Sequence, residues 1–562
     1  MNSWKGESYD SATHQQIKAL EASPDDLADS FYKDLEFGTG GLRGLMGVGP
    51  NRMNKYTVGA ATQGLANYLL SQGQDISVAI AFDSRNKSDY FAQVAADVLS
   101  ANGISVYKYS ALRPTPLLSF TVRALNCTAG IVITASHNPK EYNGYKVYWK
   151  DGGQLVPPHD DGIISEVREV IDPSMVNQGA NPSIIHEVPG HVETGYYAML
   201  QSLHQLPVNH AGKKSLRILY TSLHGTGITM VPQALEDAGF TQVHILESQA
   251  NADGDFPTVK SPNPEERSAM TMAIAEAERM QADVILGTDP DADRVGMGIR
   301  NAKGEIELLN GNQAAALMIY FILQAMKAKG ESFKDRFIAK TIVTSELLKE
   351  IADKQGVTCY DTLTGFKYIA ELIKEKEGKE RFIAGGEESY GYLVGDEVRD
   401  KDAVMSTVML CEMAAWAIEK AGSVKNMLFQ LYDEVAMYRE SLISITKKGI
   451  SGAQEIQDIM TTYREETPEF IAGVKVLETA DYGSGIHRNI ETGKTKEIPL
   501  PSSNVFQLWL EDGTKITARP SGTEPKIKYY ISVKSEQEKG SGDERWEALG
   551  QRIAKVEKAL GL

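Results

Sequence analysis

Three aspartates at alternate positions form the most specific chemical pattern in the sequence. They follow an apolar run in the loop TDPDADRVG and are Asp289, Asp291 and Asp293. Carboxylates spaced in this way can gather around one hard divalent cation, and without a cation or strong donors they would repel one another. An EF-hand needs glycine and glutamate where this chain has Arg294 and Arg300. The loop therefore favours a divalent-cation site that is not an EF-hand, and an aspartate-rich surface turn is the alternative.

A serine ends another apolar run. Residues 129–135 lead directly into Ser136 in the segment TASHNP. A serine at such a place is either a turn or cap residue or a group that takes part in chemistry. His137 is not expected to act as its base, because adjacent side chains on an extended segment point to opposite sides. The chain also lacks the Gly-x-Ser-x-Gly elbow at this serine, so a serine hydrolase is a poor interpretation.

Two further loops carry polar or charged side chains beside glycines. The loop GGEESYG offers Glu387, Glu388 and Ser389, which suit the hydroxyl groups of a sugar. The loop FGTGGLRG carries Arg43. Each pattern alone is weak, since polar turns rich in glycine are common on protein surfaces.

A fourth loop has the composition of an anion site. In ARPSGTEPK a guanidinium, two hydroxyls and accessible backbone amides come from Arg519, Ser521, Gly522 and Thr523. Such groups can surround a phosphate. A serine and glycine turn with a solvated arginine explains the segment equally well until another phosphate-binding feature is found.

The segments that carry these loops predict alternating strands and helices. Apolar runs that end in polar loops recur in DISVAIAFDSR, SLRILYTSLHGTG and DRFIAKTIVTS, with helix-like segments between such runs. The last hundred or so residues instead suggest strands joined at Asp512-Gly513, a dipeptide typical of tight hairpins. We predict an α/β fold of three tandem α/β domains and a smaller C-terminal α+β domain, with bounds 1–206, 207–303, 304–438 and 439–562.

Composition limits the class of protein. The chain has 562 residues, of which 42% are hydrophobic, and its formal net charge is -17. That charge argues against a general nucleic-acid binder and against a binder of anionic membranes. No secretory signal or membrane-spanning run is recognisable, and Cys127, Cys359 and Cys411 have no paired spacing. We therefore expect a cytoplasmic protein with a small-molecule ligand; the sequence leaves the oligomeric state open.

The four loops TASHNP, DPDADR, GEESYG and RPSGTEPK resemble, in order and wording, those of the α-D-phosphohexomutase superfamily. The resemblance covers residues 37–535 approximately and points to the phosphoglucomutase/phosphomannomutase family, in particular its glucomutase-like branch. It implies four domains around a central cleft, with mixed sheets in the three α/β domains. It also implies an isomerase that acts as an intramolecular phosphotransferase.

The resemblance implies roles for the residues that do the chemistry. Ser136 would be phosphorylated and would act as a metal ligand with Asp289, Asp291 and Asp293, and the metal would be Mg²⁺. Lys146 would take the proton from the attacking sugar hydroxyl, and Arg294 would stabilise the transferring phosphoryl group, although both could instead be solvated surface cations. The remaining catalytic positions are Arg43, at the reacting end, and Lys401, in RDKDA.

The resemblance also implies a substrate-binding set and a reaction. Thr364 and Gly365 belong to a Thr-Gly-aromatic-Lys loop, Glu387 and Ser389 would bind sugar hydroxyls, and the non-transferred phosphate would be held by Arg519, Ser521, Gly522 and Thr523. Phospho-Ser136 would convert a hexose monophosphate into a 1,6-bisphosphate, and the other phosphate would return to the serine. Glucose 1,6-bisphosphate would be the intermediate and activator.

The substrate is less closely defined, because the chain departs from the family at two places. Many relatives have a histidine in the sugar loop, which is absent here, and Glu397 stands where a histidine often occurs in the glucomutase-like branch. Glucose phosphate is favoured, with mannose phosphate or pentose phosphate as alternatives. A sugar phosphatase and a silent sugar-phosphate binder are the alternatives from other classes.

Overall fold

The computed structural model describes residues 1–38, 40–301, 303–447, 449–521, 526–535 and 540–562. Within these residues the chain divides into two units. The first comprises Met1–Phe337 and Phe366–Lys425, and the second comprises Ile338–Gly365 and Asn426–Leu562. Each unit is therefore discontinuous in sequence.

The amino-terminal part of the first unit is built on a six-stranded mixed sheet. Its elements are, in chain order, α1 (Ser11–Leu20), α2 (Pro24–Phe31), β1 (Gly41–Leu45), α3 (Lys55–Gln72), β2 (Ser77–Phe82), α4 (Ser88–Ala101), β3 (Ser105–Lys108), α5 (Thr115–Ala124), β4 (Ala129–Ile133), β5 (Tyr142–Trp149), α6 (His159–Glu169), β6 (Ile185–Glu187) and α7 (His191–Ser202). The strand order is β1-β5-β4-β2-β3-β6.

The centre of this sheet explains why polar loops follow apolar runs. β4 is buried along its whole length, as expected for a central strand covered on both faces. β2 runs parallel to β4, with Phe82 opposite Ile133, so both strands end at the same edge. The loops after β2 and β4 therefore leave the sheet side by side.

A five-stranded mixed sheet follows in the first unit. Its elements are α8 (Ala211–Ser215), β7 (Ile218–Thr221), α9 (Val231–Asp237), β8 (Val243–Ile245), α10 (Arg267–Met280), β9 (Val284–Thr288), β10 (Val295–Arg300) and β11 (Ile306–Leu308). The strand order is β11-β10-β9-β7-β8. β9 is buried throughout and pairs in parallel with β7. The aspartate loop begins where β9 ends.

The next segment contributes elements to both units. They are α11 (Gly311–Ala328), β12 (Arg336–Thr341), α12 (Leu347–Gln355), β13 (Thr358–Thr362), α13 (Phe366–Lys376), β14 (Arg381–Gly386), β15 (Tyr392–Val394), α14 (Ala403–Ala421) and α15 (Val424–Glu434). β14 and β15 form an antiparallel hairpin in the first unit. α11 and α14 are largely buried. Even so, no helix among the described residues combines the length and apolarity that a membrane crossing needs.

The carboxyl-terminal part of the second unit is an antiparallel sheet with two helices. Its elements are β16 (Tyr438–Thr446), α16 (Gly449–Glu465), β17 (Phe470–Ile471), β18 (Val474–Asp481), β19 (Ile486–Asn489), β20 (Thr495–Glu497), β21 (Phe506–Leu510), β22 (Lys515–Pro520), β23 (Lys526–Lys534) and α17 (Gly542–Ala559). β21 and β22 pair across the predicted turn, where Gly513 has a φ of +78°. The predicted hairpin at Asp512-Gly513 is thus confirmed.

Polar contacts join Ile338–Gly365 to this sheet inside the second unit. Nζ of Lys515 contacts Oε1 of Glu346 at 2.5 Å and the carbonyl of Ile342 at 2.8 Å. Nε2 of Gln507 donates to the same carbonyl at 2.8 Å, and Nζ of Lys534 contacts Glu350 at 2.6 Å. Two parts of the sequence that are far apart therefore depend on each other for their hydrogen-bond partners.

Candidate active site

The metal loop, residues 289–293, brings the three aspartates together. One carboxylate oxygen from each lies within 4.8 Å of those of the other two, and all three side chains are buried. Oδ1 of Asp291 and Oδ1 of Asp293 accept no hydrogen bond from any residue that the structure describes. Such oxygens are the ligands that a hard divalent cation prefers. The residues present therefore fit a divalent-cation site.

The pKa values of Asp289 and Asp293 are shifted in opposite directions because their neighbours differ. Burial, together with the charges of Asp291 and Asp293, raises the pKa of Asp289 well above its usual range. Burial also acts to raise the pKa of Asp293, but the ammonium groups of Lys401 and Lys146 hold it well below that range. The carboxylates are thus crowded enough that a cation bound among them would relieve their repulsion.

Ser136 lies beside this cluster. Its Oγ donates a hydrogen bond to Oδ2 of Asp289 at 2.7 Å, and its backbone N–H donates to Oγ1 of Thr134 at 2.8 Å. The residue is buried and has a φ of +52°, in the left-handed region. Ser136, which follows β4, is therefore in direct contact with Asp289 of the metal loop, which follows β9.

The expectation that the side chains of Ser136 and His137 point to opposite sides is wrong. Oγ of Ser136 lies 3.2 Å from Nδ1 of His137. β4 ends at Ile133, and the left-handed backbone at Ser136 makes the segment a turn, so the alternation of an extended strand does not apply. Burial and the nearby Arg294 and Arg43 lower the pKa of His137 well below its usual value, so its ring is neutral at pH 7.

Lys146 extends from β5 into the metal loop. Its Nζ lies 2.8 Å from Oδ2 of Asp291 and 3.2 Å from Oδ2 of Asp293. Burial acts to lower the pKa of Lys146, but the two carboxylates outweigh burial and raise it. The position is not that of a solvated surface cation.

Lys401 reaches the carboxylate of Asp293 from the loop before α14. Its Nζ lies 3.2 Å from Oδ2 of Asp293 and 2.9 Å from Oδ1 of Asp400. Oδ2 of Asp400 in turn accepts hydrogen bonds from the hydroxyl of Tyr148 at 2.7 Å and from Nε2 of Gln154 at 2.8 Å. Asp400 therefore holds Lys401 against the metal loop.

Arg294 connects the metal loop to the predicted sugar loop. Its Nη1 donates to the side chain of Glu265 and, at 3.2 Å, to the carbonyl of Ser389. Glu387 and Ser389 lie in the turn between β14 and β15, which is closed by the hydrogen bond from Glu387 N to the carbonyl of Gly391 at 2.8 Å. The sugar loop and the metal loop are thus in contact.

Arg43 lies on β1, the edge strand that pairs with β5. It stands opposite Gly144, two residues before Lys146, and is exposed. The structure therefore places Arg43 on the strand next to the one that supplies Lys146.

The predicted phosphate-binding residues belong to the second unit. Arg519 is at the end of β22, opposite Lys528 on β23, and Ser521 N donates to the carbonyl of Lys526 at 2.7 Å. Gly522 and Thr523 lie outside the described residues. Thr364 and Gly365 follow β13, and Gly365 has a φ of +110°. These positions belong to the second unit, whereas Ser136 and the metal loop belong to the first.

Several polar residues at the site carry no motif that singled them out. Oγ1 of Thr115 donates to Oδ2 of Asp291 at 2.9 Å, and Asp400 and Glu265 hold Lys401 and Arg294 as described above. Arg85 contacts the segment after Ser136. Two of these residues had a signal in the sequence, since Arg85 belongs to the polar end of the run DISVAIAFDSR and Asp400 lies next to Lys401 in RDKDA. The others come from loops and a helix start that only the tertiary fold brings to the site.

Three family models match consecutive parts of the chain. Residues 34–172 match the phosphoglucomutase/phosphomannomutase alpha/beta/alpha domain I, residues 194–303 match domain II and residues 310–435 match domain III. The sheet of β16 to β23 follows the last match. The predicted order of three α/β domains and a C-terminal α+β domain is therefore confirmed.

Curated relatives match the chain over most of its length. A phosphoglucomutase of Staphylococcus aureus (strain MRSA252) is 38% identical over 509 residues, which is 90% of this chain and 91% of the relative. A phosphoglucomutase of Staphylococcus epidermidis (strain RP62A) is 38% identical over 503 residues, 89% of this chain and 90% of the relative.

Solved structures share the fold at lower identity. The Paramecium phosphoglucomutase pp63/parafusin, in an open form, has a TM-score of 0.68 at 18% identity and covers 94% of this chain and 95% of its own. A phosphoglucomutase/phosphomannomutase family protein from Burkholderia thailandensis has a TM-score of 0.65 at 16% identity, with 93% and 97% covered. The arrangement of elements is thus common to proteins of distant sequence.

Proposed function

The chain belongs to the phosphoglucomutase/phosphomannomutase family. We propose that it interconverts glucose 1-phosphate and glucose 6-phosphate through phospho-Ser136 and glucose 1,6-bisphosphate. The protein is a phosphosugar mutase, an isomerase that acts by intramolecular phosphotransfer. Phosphoglucomutase is the activity named for the two staphylococcal relatives, which supports glucose as the sugar.

The contact between Ser136 and Asp289 is the observation that carries the proposal. A hydroxyl 2.7 Å from a carboxylate of the aspartate cluster becomes, once phosphorylated, a phosphate ester beside that cluster. A phosphoserine adds roughly -1.5 to -2 charges, which require cationic partners. Asp289, Asp291 and Asp293 would hold Mg²⁺ with a phosphoserine oxygen as the fourth ligand. When bound, the ion would draw negative charge from the phosphoryl oxygens.

The side chains around Ser136 suit the transfer step. A sugar hydroxyl oxygen forms a bond to phosphorus while the bond from phosphorus to Oγ of Ser136 breaks. Asp291 and Asp293 raise the pKa of Lys146, so its side chain is an ammonium; it takes the hydroxyl proton as it releases one of its own protons to Oγ, which becomes the serine hydroxyl. The phosphoryl group and one net proton therefore move in opposite directions. Arg294, Arg43 and Lys401 supply positive charge to the transferring group.

Binding of the rest of the substrate would fall to residues that do no chemistry. Glu387 and Ser389 would bind sugar hydroxyls, and Thr364 and Gly365 would contact the substrate from the loop after β13. The phosphate that is not transferred would bind Arg519, Ser521, Gly522 and Thr523. The bisphosphate must reverse its orientation in the site between the two transfers, so these groups must accept both orientations of the sugar.

Boundaries and location complete the proposal. We place the domains at 1–206, 207–303, 304–438 and 439–562. The matched segments 34–172 and 310–435 lie within the first and third of these ranges, whereas the matched segment 194–303 begins before residue 207. Sugar phosphates are the proposed ligands and the cytoplasm the proposed location.

A coupled assay tests the substrate. Glucose, mannose and ribose 1-phosphates are compared as substrates of the purified protein, in the presence of Mg²⁺ and the matching bisphosphate. We expect the highest kcat/KM with glucose 1-phosphate and recovery of glucose 6-phosphate. A higher kcat/KM with mannose 1-phosphate or ribose 1-phosphate would mean that this sugar phosphate, and not glucose phosphate, is the substrate. Release of inorganic phosphate as fast as substrate is lost would indicate a phosphatase, and no transfer of label from the bisphosphate to the protein would indicate a silent binder.

Arg519→Ala is expected to weaken the binding of both substrate orientations. A charge-assisted contact with phosphate contributes about 1.5 to 3 kcal/mol, which corresponds to roughly a ten- to hundredfold rise in KM for glucose 1-phosphate. The turnover number falls as well if the lost contact helps to position the reacting hydroxyl. Steady-state kinetics measure both values, and intact-protein mass counts phosphoserine, which should be retained.

Arg488→Ala is the matched control for this variant. Arg488 is an exposed arginine on β19 of the same sheet, so the chemical change is the same away from the predicted phosphate loop. Its kinetics should equal those of the wild type. Unchanged kinetics of Arg519→Ala would mean that ARPSGTEPK is a surface turn, and loss of phosphoserine with unchanged KM would place Arg519 at the reacting end.

A further inference from the structure

A buried arginine binds the backbone of residues 136–142, here called the serine loop. Arg85 follows β2, is 3% exposed and donates hydrogen bonds from both terminal nitrogens of its guanidinium. Its acceptors are the backbone carbonyls of Ser136 (2.6 Å), Asn138, Pro139 (2.8 Å) and Tyr142 (3.1 Å). One side chain thus holds four points of the loop that begins with Ser136.

The sheet places Arg85 beside the serine loop, and Asp83 is its ion-pair partner. β2 and β4 are parallel neighbours, so Arg85 and Ser136 leave the sheet at one edge. Nε of Arg85 lies 3.3 Å from the buried carboxylate of Asp83, and the guanidinium stacks over the ring of Phe256 at 5.0 Å. Because Asp83 offsets the charge, the remaining donors are available for carbonyls.

The serine loop needs partners from outside itself. A left-handed backbone at a residue other than glycine is unfavourable, and Ser136 adopts one. The loop has left the sheet ladder, and buried carbonyls without donors destabilise a conformation. A further carbonyl, that of His137, accepts a hydrogen bond from Oγ of Ser261 at 3.0 Å. The loop is therefore shaped by side chains of neighbouring elements.

We propose that Arg85 is a positioning residue for phosphoryl transfer, which holds the serine loop so that Oγ of Ser136 stays beside Asp289. This inference rests on the proposed role of Ser136 as the phosphoryl carrier. Arg85 acts through the backbone and contacts neither the reacting oxygen nor the carboxylates of the metal loop in any hydrogen bond found among the described residues.

The catalytic cycle explains why carbonyls, and not the phosphate, are held. Ser136 alternates between a neutral hydroxyl and a phosphate with roughly -1.5 to -2 charges. A cation bound to the phosphate would lose its partner in each cycle, whereas the neutral backbone carbonyls can accept hydrogen bonds in both states. Arg85 therefore provides the same hold before and after transfer.

Arg85→Lys tests the proposal. Lysine keeps the positive charge, but one ammonium group cannot reach four carbonyls spread along the loop. We expect kcat to fall by about ten- to a hundredfold, because a displacement of about 1 Å has effects of that size, while KM for glucose 1-phosphate stays within about twofold. An unchanged kcat would overturn the proposal, and so would a large rise in KM alone.

Arg300→Lys separates positioning from general stability. Arg300 also binds carbonyls, those of Ala277 at 3.0 Å, Ala282 at 2.9 Å and Gly304, but it lies at the far end of β10. We expect this variant to lower the melting temperature and to leave kcat unchanged. An equal loss of kcat in both variants would overturn the proposal, since a structural defect would then explain it.

Two measurements on the wild type complete the test. Phosphoserine is counted by intact mass after treatment with glucose 1,6-bisphosphate. A wild-type protein that takes up no phosphate overturns the proposed function and this inference together. A wild-type protein that is phosphorylated, with an unchanged kcat in Arg85→Lys, overturns the inference alone. If Arg85→Lys does not fold, hydrogen exchange of residues 134–142 is compared with and without phosphorylation. Equal, strong protection in both states is expected, and rapid exchange in either would overturn the proposal.

Discussion

Ser136→Ala is expected to lose mutase turnover by a factor on the order of a thousand or more. The hydroxyl that bonds to phosphorus is lost, while the fold depends little on it, because the hydrogen bonds of Oγ among the described residues are only those to Asp289 and His137. Sugar-phosphate binding should remain, since the proposed phosphate and sugar contacts are untouched. Coupled-assay kinetics, ligand binding and melting temperature measure the three effects.

Ser100→Ala is the control for Ser136→Ala. Ser100 is a buried serine of α4 whose Oγ donates to the carbonyl of Asp97 at 3.0 Å, away from the metal loop. It should keep wild-type turnover. Substantial isomerisation by a Ser136→Ala preparation free of wild-type enzyme would remove Ser136 from the mechanism.

Removal of the divalent cation is expected to abolish activity, and added Mg²⁺ should restore it. The three buried carboxylates repel one another and fit a cation, so the site without one cannot present the same charge to a phosphate. Asp291→Asn should mimic chelation by lowering Mg²⁺ affinity about a hundredfold or more, since loss of even an outer contact costs ten- to a hundredfold. Activity against Mg²⁺ concentration, after EDTA treatment, measures the shift.

Asp283→Asn is the matched control for the metal site. Asp283 stands just before β9, at its opposite end, and pairs with Arg217 at 2.7 Å. Its Mg²⁺ dependence should equal that of the wild type. Full activity of the chelated enzyme would show that the aspartates serve another purpose.

The sequence predicts features that depend on local pattern. Alternating apolar runs predict the α/β segments, and Asp512-Gly513 predicts the hairpin of β21 and β22 because its backbone preferences are intrinsic. The aspartate cluster is predictable because Asp289, Asp291 and Asp293 share one short loop. Their contact with Ser136 is not a local property, and it follows only from the family resemblance.

Other features depend on tertiary contacts that no short pattern encodes. The orientation of His137 was predicted wrongly because a rule for extended strands was applied to a turn. Asp400, Thr115 and Glu265 reach the site from separate elements. The strong electrostatic influence on Lys146, whose pKa is raised by Asp291 and Asp293, likewise arises only after folding brings them together.

The interrupted second unit has a consequence for the order of events during synthesis. Ile338–Gly365 leaves the ribosome well before Gln507 and Lys515, on the order of ten seconds or more earlier at about 5 to 20 residues per second. Until then the carbonyl of Ile342 and the carboxylate of Glu346 lack the partners described for them. The second unit therefore cannot be completed during translation of its first segment, and a nascent chain arrested before β21 should expose Ile338–Gly365 to proteases.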